Sequence, residues 1–134
     1  MNITSYTDFL QAAHAQPEPQ RLLFVFAEAE LPDHPTQGQQ ERFQSGGGGA
    51  LTPVMCVDKL PGELTDFASL ADESRHTGQR WDIVFAASMS GKEGIAPSSN
   101  DAERPLKMMI DSIHRGAIEK FLAFDRSGDA VQFF

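Results

Sequence analysis

The stretch Leu22-Leu23-Phe24-Val25-Phe26-Ala27 is apolar at every position, and Ile83-Val84-Phe85-Ala86-Ala87 forms a second block of the same kind. A strand with one wet face alternates apolar and polar residues, whereas an uninterrupted apolar strand is covered on both faces. Such coverage is typical of α/β folds, in which helices pack on both sides of a sheet. The two blocks therefore predict two buried strands in an α/β domain.

Apolar residues recur at helical spacing in three segments around these blocks, which predicts about three helices. The apolar positions are Tyr6, Phe9, Leu10 and Ala13, then Leu64, Phe67, Ala68 and Ala71, then Leu106, Met109, Ile110 and Ile113. Ser5 and Asp8 fit a capping box that begins the first helix, and Pro105 suits the first turn of the third.

Further strands are expected at about 52–58, 118–125 and 130–134, the last two joined by a three-residue turn, Arg126 to Gly128. Strands separated by crossover helices are usually parallel. The prediction is one α/β domain over residues 1–134 with a mixed, mostly parallel five-stranded sheet and a C-terminal antiparallel hairpin. Residues 31–50, rich in Gly, Gln and Pro, are expected to form a mobile loop.

The charge composition of the chain limits the kinds of partner that we expect it to bind. The chain of 134 residues has 19 acidic and 11 basic residues, a net charge of −8, and its bases are scattered singly. Binding to nucleic acid or to an anionic membrane needs a concentrated basic patch, so neither is expected. The single cysteine, the lack of a signal-peptide pattern and the short apolar runs favour a cytoplasmic protein.

Polar residues at the carboxyl ends of the predicted strands are the candidate ligand site, because α/β folds bind ligands there. These residues are Glu28, Asp58, Lys59, Ser88, Ser90 and Lys92. Carboxylates, ammonium groups and hydroxyls together could bind a small polar ligand or support acid–base chemistry. The alternative is that these residues are polar only because the chain leaves the core at these points.

Other patterns support no specific chemistry. The stretch Ser88–Gly94 contains Gly-Lys but lacks the upstream glycine, the hydroxyl residue and the immediate helix of a phosphate loop. Cys56 lies in an apolar strand, where an inert buried thiol is more common than a nucleophile. The four histidines show no zinc-ligand spacing, so no metal and no cofactor are expected.

Three aromatic residues are candidate partner contacts. Phe43 is the one aromatic residue of the predicted loop, and Phe133 and Phe134 end the chain on a predicted edge strand. Exposed phenylalanines at a sheet edge favour a protein partner or a second copy, so we expect a monomer or a weak homodimer.

Four stretches resemble a family of short, acidic, uncharacterised proteobacterial proteins, some of which are labelled "ribonucleotide reductase subunit alpha". The stretches are 16–27, Met55-Cys56-Val57-Asp58-Lys59, Trp81-Asp82-Ile83-Val84-Phe85 and Phe121-Leu122-Ala123-Phe124-Asp125. They cover mostly predicted strands. Because that radical chemistry needs several cysteines, the resemblance implies no catalytic residue here.

Two hypotheses of function follow from the sequence. The first is a small non-enzymatic binding or regulatory protein that acts through protein–protein contact. The second is a small enzyme or ligand-binding domain with a polar site at the strand ends. The first is favoured, because no complete catalytic set of residues can be assembled from the sequence.

Overall fold

A computed structural model describes residues 5–30, 50–64, 67–78, 80–115, 117–118 and 121–131. Its helices are α1 (Tyr6–His14), α2 (Phe67–Arg75) and α3 (Ser99–His114), with a 3₁₀ turn at Pro61–Glu63. Its strands are β1 (Gln20–Glu30), β2 (Ala50–Lys59), β3 (Ile83–Ser90) and β4 (Leu122–Phe124). The strands form one sheet in the order β2-β1-β3-β4, and each neighbouring pair is antiparallel.

The prediction of a mostly parallel, five-stranded sheet is wrong, although the chain is α/β. The connection through α2 does return β3 in the same direction as β2. However, β1 lies between these two strands and runs opposite to both, so no parallel pair is hydrogen bonded. In the described C-terminal stretch, Asp129 and Ala130 form only isolated bridges, to Ser5 and Phe124.

The turn before those bridges has the three-residue form that the sequence predicts. Gly128 has a φ of 86° and its N–H donates to the carbonyl of Asp125 at 3.1 Å. The left-handed conformation costs little at glycine. The predicted mobile loop 31–50 lies outside the described residues, apart from Ala50, the first residue of β2.

Both faces of the sheet are covered, as the apolar blocks predict. Tyr6 and Phe9 of α1 pack on one face with Phe24 and Phe26, whereas α3 packs on the other face against Leu23, Val25 and Phe85. Successive residues of β1 point to opposite faces. Because every position from 22 to 27 is apolar, the strand contributes side chains to both hydrophobic cores. The strand is buried from residue 22 to residue 27.

Local capping signals fix the helix starts. The Ser5 side chain accepts from the Asp8 N–H at 3.3 Å, which confirms the predicted start of α1. The third helix begins earlier than predicted, because Ser98 and Asp101 form a reciprocal capping box. Pro105 therefore lies inside α3 and not in its first turn.

Replacement of Phe85 by Ala is expected to lower the free energy of unfolding by about 3–5 kcal/mol, because this ring is fully buried under α3. Urea denaturation followed by circular dichroism measures the change. Met108→Ala is the matched control, since that side chain is exposed, and should change stability by less than about 0.5 kcal/mol. A loss below about 1 kcal/mol for Phe85→Ala would contradict the two-sided core.

Replacement of Asp101 by Asn should remove a pH-dependent contribution to stability. Hydrogen bonds from the backbone and side chain of Ser98 hold the pKa of the Asp101 carboxyl below its ordinary value. The contribution is therefore full above the unfolded-state pKa of about 3.9 and is lost as the pH falls through the lower folded-state pKa. The Tm difference between wild type and the variant should narrow from pH 6 towards pH 3. A constant difference would contradict this assignment.

Candidate functional site

The antiparallel sheet divides the predicted ligand site between its two ends. Because β2 and β3 run in the same direction, their carboxyl ends meet beside the start of β1. There Leu22 lies opposite both Lys59 and Ser88, and Gln20 lies opposite Ser90. Asp58 belongs to the same end, whereas Glu28 pairs with Thr52 at the opposite end. The six predicted residues therefore do not form one site.

Arg21 links three elements at the end where β1 begins. Its Nη1 lies 2.6 Å from Asp58 Oδ2 on β2, and its Nε donates to the Pro97 carbonyl at 2.6 Å. The Ser99 hydroxyl, at the start of α3, donates to the same Asp58 oxygen at 2.7 Å. The two charged side chains are 11% and 21% exposed. Asp58 thus holds β1, β2 and α3 together.

Two further predicted residues also make bonds between elements. Lys59 Nζ lies 2.7 Å from Glu73 Oε1 on α2, and the Ser90 hydroxyl accepts from Gln20 Nε2 at 2.8 Å. The first bond positions α2 on the sheet, and the second joins β1 to β3. They support a structural role for this part of the predicted site.

The stretch that contains Gly-Lys forms a tight hairpin turn. Lys92 and Ile95 exchange backbone hydrogen bonds of 3.0 and 2.9 Å, and both residues between them, Glu93 and Gly94, have positive φ. These dihedrals fit a two-residue type I′ turn. A side chain at Gly91 would collide with the Ile95 carbonyl, so glycine is required there. Ser88 and Lys92 are both exposed.

Cys56 is exposed on β2, so the expectation of a buried thiol is wrong. The strand is an edge of the described sheet, and one side of an edge strand has no neighbour to cover it. Partial burial, and secondarily the charge of Asp58, raises the pKa of this thiol. A raised pKa lowers the thiolate fraction at neutral pH and so disfavours nucleophilic chemistry.

A pocket of about 400 Å³ opens at the same end of the sheet, and we call it the end pocket. Its walls come from the C-terminal end of α1, the segment that enters β1, the 3₁₀ turn and Ala96. The lining residues are Ala13, His14, Gln16, Glu18, Pro19, Gln20, Leu60, Pro61, Gly62, Glu63 and Ala96. Its size is within the range of small-molecule sites.

Hydrogen bonds hold the polar groups of the end pocket in place. Gln20 is only 4% exposed, and its Nε2 also donates to the Glu18 carbonyl at 3.0 Å. Glu18 Oε2 accepts from the Gly94 N–H, and Glu63 Oε1 accepts from the Leu60 N–H, each at 3.0 Å. No lysine or arginine is among the described residues that line it.

Sequence reasoning missed the end pocket because its residues come from separate segments. Glu18 precedes β1 and Gln20 begins it, whereas Glu63 follows β2. A parallel sheet would place these segments at opposite ends. The local signal was the polar, proline-broken stretch 16–20 between a helix and a buried strand. This stretch meets the residues that follow β2 only because β1 and β2 are antiparallel, which the local sequence does not indicate.

Some predictions cannot be placed on the structure. Phe43, Phe133 and Phe134 lie outside the described residues. In the described ranges, no three His, Cys, Asp or Glu side chains come together as metal ligands. Among the helices of these ranges, none has the length and apolar character needed to cross a membrane.

Replacement of Asp58 by Asn should lower the free energy of unfolding by about 1–3 kcal/mol, because the Arg21 guanidinium loses its partly buried counterion. Urea denaturation checks this value. Asp111→Asn, at an exposed position of α3, is the matched control and should change stability by less than about 0.5 kcal/mol. Equal effects of the two substitutions would show that the Asp58 contacts do not stabilise the fold.

Comparison of the chain with protein-family models, curated proteins and solved structures finds no match. Its function is therefore inferred from its own residues.

Proposed function

We propose that this chain is a non-enzymatic binding protein that holds a basic segment of a protein partner on the surface around the end pocket. The observation that carries the proposal is the pairing of a carboxylate-lined pocket with an exposed apolar residue beside it. Glu18 and Glu63 line the pocket, and Ile95, directly before the lining residue Ala96, is 72% exposed.

The position of Ile95 supports a binding role. Two backbone hydrogen bonds close the type I′ turn from Lys92 to Ile95, and the Gly91 N–H donates to the Pro19 carbonyl at 2.8 Å. This bond joins the turn to the segment that lines the pocket. A large apolar side chain held on a fixed turn loses little entropy when a partner covers it, which favours its use as an anchor.

Charge favours a basic partner. The chain has a net charge of −8, and the described lining of the end pocket contains carboxylates without lysine or arginine. Opposite charges attract a basic segment over a distance and orient it during encounter. An acidic segment would be repelled by the same groups.

The strand-end residues support binding over catalysis. Asp58, Lys59 and Ser90 engage other elements of the fold, so these groups are less free to act on a substrate. The cytoplasmic location and the absence of nucleic-acid binding stay predictions from the sequence. We expect the contact with the partner to be weak and transient, because one pocket and one apolar anchor make a small interface.

Selection of random short peptides on the immobilised protein should enrich sequences that combine lysine or arginine with an aliphatic residue. Ile95→Ser should weaken binding of the enriched peptides about tenfold, the effect of losing one apolar anchor. Fluorescence anisotropy with labelled peptides measures the affinities. Met108→Ser is the matched control, because Met108 is also exposed but lies on α3, and its affinities should stay within about twofold.

Two results would contradict the proposal. The first is enrichment of acidic or uncharged peptides. The second is an equal effect of Ile95→Ser and Met108→Ser, which would place the binding surface elsewhere.

A further inference from the structure

We infer that the end pocket recognises a primary ammonium group at the end of an aliphatic chain, as on a lysine side chain. This inference rests on the proposed function and names the group that the site binds. A free alkylamine has the same chemistry, so the experiment below separates the two sources.

Gln20 is the most buried of the residues that line the pocket. Its side chain is more than nine-tenths buried, and its Nε2 is committed to the Glu18 carbonyl and the Ser90 hydroxyl. These two bonds fix which end of the amide is oxygen, since a carbonyl can only accept. No described residue donates to Gln20 Oε1. Because the donors of this amide are committed, its oxygen is the group that can accept a ligand N–H.

Both carboxylates of the lining are also acceptors. The lining further includes the His14 imidazole and Gln16, whose Nε2 donates to the Ala12 carbonyl. Backbone N–H groups anchor Glu18 and Glu63 through one oxygen each, and a carboxylate has acceptor sites beyond one such bond. The pocket also includes the C-terminal turn of α1, where the helix dipole is negative. An ammonium group matches this set, because it has a positive charge and three donors but no acceptor.

The apolar part of the lining favours an organic cation. Ala13, Leu60, Pro61 and Ala96 supply apolar wall beside the carboxylates. Lysine and alkylamines have a methylene stem that such a wall can cover while the charged end reaches polar groups. A divalent cation gains nothing from apolar walls, and a phosphate or carboxylate would face two negative charges.

Amide chemical shifts of the full chain, measured by NMR during titration, test the inference with two probes. The probes are n-butylamine and a lysine residue blocked at both ends as an acetylated methylamide. Both should cause saturable shifts at Ala13, Gln20 and Ala96. The lysine probe acetylated at Nζ and 1-butanol should each bind at least about tenfold more weakly, because neither carries the positive charge.

The double variant Glu18→Gln/Glu63→Gln should weaken binding of the lysine probe about tenfold or more. Glutamine retains an oxygen that can accept from the Gly94 and Leu60 N–H groups, so the local fold should persist, and thermal unfolding checks this. Glu103→Gln, which removes an exposed carboxylate of α3, is the matched control and should stay within about twofold. If the double variant and Glu103→Gln weakened binding equally, the binding would come from the general negative charge of the protein, and the inference would be overturned.

Three further outcomes would overturn it: tighter binding of the acetylated probe, tighter binding of a blocked arginine, or displacement of the amine by millimolar Ca²⁺. If peptides depend on Ile95 but not on the charge of their lysine, the proposed function stands and this inference fails. If the amines saturate the pocket but no peptide depends on Ile95, the pocket is a free-amine site and the proposed function fails.

Discussion

The central position of β1 is the constraint on which the rest of the structure depends. This strand pairs along its length with β2 on one side and β3 on the other, so its backbone is satisfied from both sides. Its side chains alternate between the core under α1 and α2 and the core under α3. The sequence of β1 suits this position, because residues 22–27 are apolar and buried at every position and so need cover on both faces.

The direction of β1 then determines which groups meet. Since it runs against both neighbours, the segment that enters it lies beside the residues that leave β2 and β3. Arg21 reaches Asp58 on one neighbour, and Gln20 reaches Ser90 on the other. The same arrangement brings Glu18 and Glu63 to one pocket. This end of the sheet therefore contains both the bonds that hold the elements together and the acceptors that remain for a ligand.

Local features of the fold could be predicted from the sequence, and strand pairing could not. Ser5 begins α1 as predicted, because capping depends on residues within one turn of the helix. The burial of 22–27 could likewise be predicted, because an apolar residue at every position needs cover on both faces. Whether Val25 pairs with Cys56 and Phe85, as it does, depends on contacts between distant segments. Of the predicted site, Asp58 and Ser90 do share one end, but Glu28 is placed wrongly since the prediction assumed parallel strands.

The polar residues at this end of the sheet differ in how many of their hydrogen-bonding groups are paired within the fold. Arg21 gives Nε and Nη1 to protein oxygens, and Asp58 receives both a guanidinium and a hydroxyl, so both charges are compensated within the fold. Glu18 and Glu63 accept only one neutral backbone N–H each among the described contacts, and neither has a basic partner there. Within the described part of the chain, Gln20 uses its Nε2 donors but not its Oε1 acceptor. A fold that compensates one charged pair and leaves the adjacent acceptors uncompensated favours binding of a cation beside that pair.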